Sequence, residues 1–265
     1  MNGLVLGAEG QLGSELVRLL PGSGVIAPID EADVIDELLD DRRPDVVFNC
    51  AAYNAVDRAE TERDLAQLGN AIGPGVIAAA CRRRGATLVH YSTNFVFDGS
   101  LDRPYVEADE PHPISAYGAS KLAGEMAVFS SGARALVIRT AALFGGPNSF
   151  PRRILERAKT ADHLQVVSDQ TINPTYARDL AEATLELLER DLTGIVHVVG
   201  GGGCAGWDDF ARAVLAEAGI TVEVRSVPSE AYPTPARRPR NGCLASTRIA
   251  PLRPWREALH EAMNP

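Results

Sequence analysis

"GLVLGAEGQLGSELVRLL", residues 3–20, passes without a break from an apolar run through a glycine-spaced turn into an amphipathic segment. Residues 3–6 have the character of a strand buried on both faces, whereas 11–20 repeat apolar residues at helical spacing. Between them stand Gly7, Gly10 and Gly13. A strand that turns this tightly into a helix lets its backbone approach an anion, whose charge is met by free N–H groups and the positive end of the helix dipole. Glycine turns often only join strand to helix. Placed after the first strand and opening a helix, this one points to a dinucleotide pyrophosphate.

Outward from that unit the alternation continues. The strand-like runs "GVIAPI", "DVVFN", "ATLVHY" and "ALVIRT" are separated by helix-length segments at 31–40, 60–84 and 115–130. Strand–helix–strand units with right-handed crossovers build a doubly wound parallel sheet, so the fold class is α/β. Beyond residue 145 the rhythm loosens into helix-like 150–160, a strand "LQVV", helix-like 176–190 and a strand "GIVHVV". A Gly-rich turn at 200–203, helix-like 207–218 and a Pro- and Arg-rich stretch at 228–240 follow. With no polar linker between them, this part reads as a smaller C-terminal lobe folded against the sheet. The predicted division is 1–146 and 165–200 for a dinucleotide-binding domain, with 147–164 and 201–265 forming the substrate-binding lobe.

At 265 residues, 45% hydrophobic and 23% charged, the chain can bury one sizeable core. Its formal net charge of -9 opposes association with nucleic acid or an anionic membrane, both polyanions drawn to an excess of Lys and Arg. No apolar run reaches about 18 residues, and the start lacks the basic-then-apolar pattern of export, which predicts no membrane span and a cytoplasmic location. Cys50, Cys81, Cys204 and Cys243 form no C-x-x-C pair and are expected as reduced thiols. The five histidines fall in no zinc-ligand spacing, so no metal is expected.

Tyr117 and Lys121 stand four apart in the predicted helix 115–130, which places both side chains on one face. A free tyrosine, with a pKa of about 10, is a slow proton donor at neutral pH, and a neighbouring ammonium is expected to bring it nearer the working range. A surface Tyr and Lys can also merely adjoin each other. Six tyrosines and two lysines give such a pair by chance about one time in twenty, and the chain otherwise relies on arginine for positive charge. Thr93 ends the fourth strand at the carboxyl edge, where open α/β sheets bind ligands. Its hydroxyl can hold a substrate carbonyl while Tyr117 moves the proton and hydride travels to or from a nicotinamide. The plainer role, closing a turn through its own backbone, is also open to a threonine.

The segments "GAEGQLGSEL", "RPDVVFNCAAYNAVDRAE", "VHYSTNFVFDGS", "YGASKLAGE", "VIRTAALFG", "VSDQTINPT", "GWDDFARAVL" and "YPTPARRPRNGCL" span nearly the whole chain. In order and spacing they resemble the dTDP-4-dehydrorhamnose reductase family of extended short-chain dehydrogenase/reductases. The resemblance implies a Rossmann-type domain, NADPH or NADH as cofactor, and reduction of the keto group of a nucleotide-linked 4-keto-6-deoxy sugar, dTDP-linked in that family. It implies that Tyr117 is the general acid, that Lys121 grips the nicotinamide ribose and that Thr93 holds the keto oxygen. Gly7, Gly10, Gln11 and Leu12 would meet the pyrophosphate, Ala51, Ala52 and Tyr53 would line the cofactor cleft, and Asn70 would support the network. The substrate would meet Thr93, Asn94, Phe95, Tyr117 and Ala142 at the sugar, and Arg237, Arg238 and Asn241 toward its diphosphate. Glu15 matches a residue that some members use in a metal-bridged dimer, but a helix-surface glutamate by itself assigns no metal; a homodimer stays open.

Departures from the family pattern reshape these expectations. Where the family reads "STDYVFDG" and "RTSWVYG", this chain carries Asn94, Phe95 and Ala142, each removing a sugar contact. The hydride and proton chemistry is untouched, while discrimination among keto-sugars is expected to change. Between "GVIAPID" and "RPDVV" the chain is several residues shorter than the family, at the place that holds the adenosine ribose. Asp30 either ends the second strand, accepts from the ribose hydroxyls and favours NAD over NADP, or caps the following helix. Two further readings stand beside the sugar reductase: a non-catalytic nucleotide-binding subunit resembling the regulatory beta subunit of methionine adenosyltransferase, and a reductase of a non-sugar ketone.

Overall fold

Residues 1–264 are described by a computed structural model; Pro265, the last residue of the expected lobe, lies outside the described residues. The chain begins with β1 (Gly3–Leu6), α1 (Gln11–Leu19), β2 (Gly24–Val25), α2 (Ala32–Arg42) and β3 (Val46–Asn49). A long helical stretch follows, made of α3 (Arg63–Gln67), a π-helical turn (Leu68–Ile72) and α4 (Gly73–Arg84). Next come β4 (Thr87–Thr93), α5 (Ala116–Ser130), β5 (Ala135–Thr140), β6 (Leu143–Phe144) and α6 (Phe150–Ala158). Then β7 (His163–Val167), β8 (Thr171–Ile172), β9 (Thr175–Tyr176), α7 (Ala177–Glu189) and β10 (Gly194–His197) precede β11 (Ala205–Gly206), α8 (Trp207–Glu217), β12 (Glu223–Val227) and α9 (Trp255–Met263).

Six strands form one parallel sheet in the order β10-β5-β4-β3-β1-β2. Successive residues of these strands feed opposite faces. Leu4, Leu6, Val47, Leu88 and Val137 enter one core, while Val5, Phe48, Val89, Leu136 and Ile138 enter the other. Both faces are therefore covered, which is why the strands read as continuous apolar runs rather than alternating ones. From β1 the chain first moves outward to β2, then returns to lay β3 on the other side of β1. That reversal opens a crevice at the carboxyl ends of β1 and β3.

Two expected elements are altered. The second strand, expected across 24–29, holds only Gly24–Val25, because Ile26 is 68% exposed at the sheet edge and Pro28 has no N–H for a ladder. The helix expected at 60–84 widens into the π turn just before Pro74, which cannot return an N–H to the preceding turn. The freed space is used: the Asn70 carbonyl approaches α5 so closely that a Cβ on Gly124 would sit 2.0 Å from it.

Residues beyond the sheet build a separate apolar cluster that includes Phe144, Ile154, Leu164, Phe210, Trp255 and Leu259. There β7 pairs in parallel with β12, and β8 pairs antiparallel with β11. Cys204 and Cys243 are joined by a disulfide with Cα atoms 6.1 Å apart, while Cys50 and Cys81 are free. The expectation of four reduced thiols is corrected for that pair, since 39 residues separate two positions that folding makes adjacent. Among the described residues no helix is long and apolar enough to cross a membrane.

Candidate active site

The turn after β1 shows why its glycines are there. Gly7 has φ +76, and a Cβ on it would lie 2.6 Å from the Ala51 nitrogen, so this turn packs directly against the end of β3. Gly13 brings α1 against the same turn, where a Cβ would fall 2.2 Å from the Gly7 carbonyl oxygen. Gly10 stands at the N-cap of α1 with no side-chain cap and no acidic residue in the first turn. The first-turn N–H groups are thus left for an anion, and the residues fit a pyrophosphate. Gln11 accepts at Oε1 from Gly146 N–H at 3.2 Å and ties this helix start to the loop beyond β6.

Thr93 closes a turn, the plainer of the two roles weighed for it. Its Oγ1 accepts from Phe95 N–H at 3.2 Å, closing the turn at 94–96, and donates to Asn94 Oδ1 at 3.2 Å. It also lines a cleft of about 310 Å³ at the carboxyl edge of the sheet, together with Gln11, Ala51, Tyr117, Lys121 and Ala142. Gly10, Leu12, Ala52, Asn94 and Phe95 complete the expected residues that line it. Asn94 is not free in that wall: its Nδ2 donates to the Gly242 carbonyl at 3.0 Å, joining the cleft to the lobe.

Helix α5 is set by Ser115, whose Oγ accepts from Gly118 N–H at 3.1 Å, and by Glu60, which accepts from Ala116 N–H at 2.8 Å. Gly118 allows the helix to touch the turn after β4, since a Cβ there would lie 2.2 Å from the Phe95 carbonyl oxygen. This brings the Tyr117 phenol to the cleft, edge-on to Phe95 and 3.5 Å from Asn54 Oδ1. Lys121 donates from Nζ to the Tyr91 carbonyl at 2.6 Å.

The expected lowering of the tyrosine by its neighbouring ammonium is corrected here. Burial pushes the Tyr117 phenol up to about 12, opposed by the neighbouring Thr93 hydroxyl. The same burial pushes the Lys121 ammonium down to about 8, opposed by Glu125. Desolvation sets the direction for both groups, and the ammonium donates to a backbone carbonyl rather than to the phenol.

Other expected residues do not line the cleft. Gly7 lies beneath it. Asn70, fully buried on the π turn, accepts from Tyr53 N–H at 2.9 Å and donates to the Tyr53 carbonyl and Ser120 Oγ, each at 3.0 Å. Tyr53 is held by that bond pair and donates its hydroxyl to Glu62. Asp30 satisfies neither expected register: β2 ends at Val25, and Glu31 occupies the N-cap of α2. Glu15 is engaged by Arg18 at 2.9 Å, and among the described residues no group of His, Cys, Asp and Glu is placed to hold a metal.

The three loop residues expected at the diphosphate separate. Arg238 pairs with Asp57 at 2.8 Å and lines a neighbouring cavity of about 380 Å³ with Phe150, Arg153, Arg157 and Trp207. The cavities adjoin through consecutive residues, Val56 in the first wall and Asp57 in the second. Arg237 is exposed and lines neither. Asn241 instead donates to the carbonyls of Leu101 and Arg103 at 2.7 and 2.8 Å. Reasoning from sequence missed Asn54, and also Thr140, which lines the cleft with a buried Oγ1 that has no partner. It missed Arg153, Arg157 and Trp207 as well, because only packing of the lobe brings them to the cavity.

Comparison with known proteins agrees with this geometry. A dTDP-4-dehydrorhamnose reductase from Burkholderia thailandensis is 40% identical, covering 92% of this chain and 90% of the relative. The crystal structure of a dTDP-4-dehydrorhamnose reductase from Clostridium acetobutylicum superposes with a TM-score of 0.94 at 37% identity, covering 100% of this chain and 99% of that one. A Bacillus anthracis dTDP-4-dehydrorhamnose reductase, solved in complex with NADP, gives 0.93 at 33% identity, with coverage of 99% and 98%. With the family described as the RmlD substrate binding domain matching residues 1–265, the chain belongs to that family.

Proposed function

We propose that this chain is an NAD(P)H-dependent reductase that converts the 4-keto group of a nucleotide-linked 6-deoxy sugar, dTDP-linked as in its relatives, to a hydroxyl. One observation carries the reading: Thr93, Tyr117 and Lys121 converge on a single cleft whose floor is the uncapped start of α1. Bound NAD(P)H supplies the hydride to the keto carbon. Gly10, Gln11 and Leu12 hold the pyrophosphate against the helix dipole, Ala51 and Ala52 flank the coenzyme, and Lys121 holds the ribose. Thr93 fixes the keto oxygen, and Tyr117 donates its phenolic proton to that oxygen as charge develops on it. A phenol pushed up to about 12 keeps its proton across neutral pH, so Tyr117 enters the reductive direction in the protonated form from which it donates.

In this reading residues 1–146 and 165–200 bind the dinucleotide, and 147–164 with 201–265 bind the nucleotide end of the sugar substrate. Arg153, Arg157 and Arg238 around the neighbouring cavity suit a diphosphate. Ala142 and the occupied amide of Asn94 leave the hexose pocket wider and less polar than the family pattern, so selectivity among keto-sugars shifts. The cytoplasm is the location that goes with a soluble nucleotide-sugar substrate. The relatives' names and the assembled triad support this reading over a regulatory subunit or a reductase of non-sugar ketones.

Incubating the purified protein with NADPH or NADH and a panel of dTDP-4-keto-6-deoxy sugars tests it. Oxidation of the coenzyme that depends on the sugar and vanishes in Tyr117→Phe is the expected result; no oxidation with any sugar of the panel sinks the reading.

A further inference from the structure

Helix α5 carries Tyr117, Lys121 and Glu125 at successive four-residue spacings, so all three share one face. Tyr117 and Lys121 line the cleft, whereas Glu125 lies behind it, 2% exposed. The Glu125 carboxylate joins three elements. It accepts from Ser92 Oγ on β4, and from Arg139 Nε and Nη2 on β5 at 2.9 and 2.6 Å. Arg139, equally buried, lies over the Phe97 ring at 5.2 Å. Ser92 immediately precedes Thr93, so this carboxylate anchors the strand end that presents the Thr93 hydroxyl. A buried ion pair is costly to desolvate and often stabilises a fold no better than well-packed apolar side chains, which leaves its presence here to be explained by position.

We propose that Glu125 is a positioning residue: it ties the helix bearing Tyr117 and Lys121 to the strand end bearing Thr93, and it supplies the negative charge that faces the Lys121 ammonium. The inference rests on the reductase reading of the same cleft. The titratable and charged groups around Lys121 are Cys50 beyond β3, His90 and Tyr91 on β4, Tyr117 and Glu125 on α5, and Arg139 on β5 behind Glu125. Burial raises Cys50, Tyr91 and Tyr117 and lowers His90, which keeps all four neutral at working pH. The Glu125 carboxylate, ion-paired with Arg139 at 2.6 Å, opposes the desolvation acting on Lys121.

The chain's two lysines make a direct test available. Protein labelled with carbon-13 at lysine Cε gives one signal from exposed Lys159 and one from buried Lys121. In ligand-free Glu125→Gln, Lys121 is expected to lose its proton roughly one pH unit below the wild type, with the alkaline limb of kcat/KM moving the same way and kcat falling about tenfold. Arg139→Met, which leaves the carboxylate without its partner, moves the Lys121 midpoint upward. If either single variant fails to fold, the double variant Glu125→Leu/Arg139→Met exchanges the pair for apolar side chains and shows a smaller downward shift. An unchanged midpoint in a folded variant lacking the carboxylate overturns the proposal. So does a double variant that cannot fold, since the pair is then simply structural. A wild type without turnover sinks the reductase reading instead, and the ligand-free titration tells the two failures apart.

Discussion

The Lys121 ammonium donates to the Tyr91 carbonyl at 2.6 Å, so the charge on α5 is fastened to the strand beneath it rather than to the phenol one turn away. The bond fixes where the ammonium sits, while burial sets when it is lost, at a pKa of about 8. In the free protein, kcat/KM is therefore expected to decline above about pH 8 as Lys121 deprotonates, and a pH–rate profile measures it directly.

The same shift makes a prediction about stability. Because the folded pKa of about 8 lies below the ordinary 10.5, the unfolded chain binds more protons between those values, and the Lys121 contribution to stability rises with pH across that window. Below pH 8 the cost of holding the charge is fully present, on the order of 3 kcal/mol. Urea melts of wild type and Lys121→Met from neutral pH to about pH 10 should show the difference between them shrinking as pH rises.

Tyr117→Phe removes a hydroxyl whose hydrogen bond to Asn54 is long, at 3.5 Å. The fold should lose no more than about 1 kcal/mol. Turnover should fall by roughly 10²–10⁴, with coenzyme affinity nearly unchanged. A coenzyme titration followed by single-turnover kinetics separates the two effects.

Gly13→Ala places a Cβ 2.2 Å from the Gly7 carbonyl oxygen, and rigid backbone must shift to accept it. A loss of about 1–3 kcal/mol in stability and of at least about tenfold in coenzyme affinity is expected. Gly10→Ala meets the same oxygen at 3.3 Å and should do far less to the fold. Calorimetric binding of NADPH to both variants checks the contrast.

Asn70→Ala leaves the Tyr53 N–H, the Tyr53 carbonyl and the Ser120 hydroxyl without their buried partner. The expected cost is about 2–4 kcal/mol, read from the urea midpoint at constant slope.

Arg238→Ala breaks the pair with Asp57, whose carboxyl that guanidinium holds below its usual range. Under the proposed function, KM for the nucleotide sugar should rise about tenfold while affinity for the coenzyme stays put. An equal effect on both ligands would remove Arg238 from the substrate side.

The sequence alone determined the sheet, the glycine turn and the helix that presents Tyr117 and Lys121 together, because each is written in spacings of a few residues that backbone geometry reads directly. Only the tertiary structure decided what those groups meet. Glu125 finds Arg139 and Ser92, Arg238 finds Asp57 across 181 positions, and Cys204 finds Cys243 across 39. Asp30 lost both of its expected registers when the second strand stopped at Val25, an outcome set by exposure at the sheet edge. The direction of the Tyr117 shift likewise lay beyond local spacing: how far water is excluded from a side chain depends on everything packed around it, and here that exclusion raises the phenol.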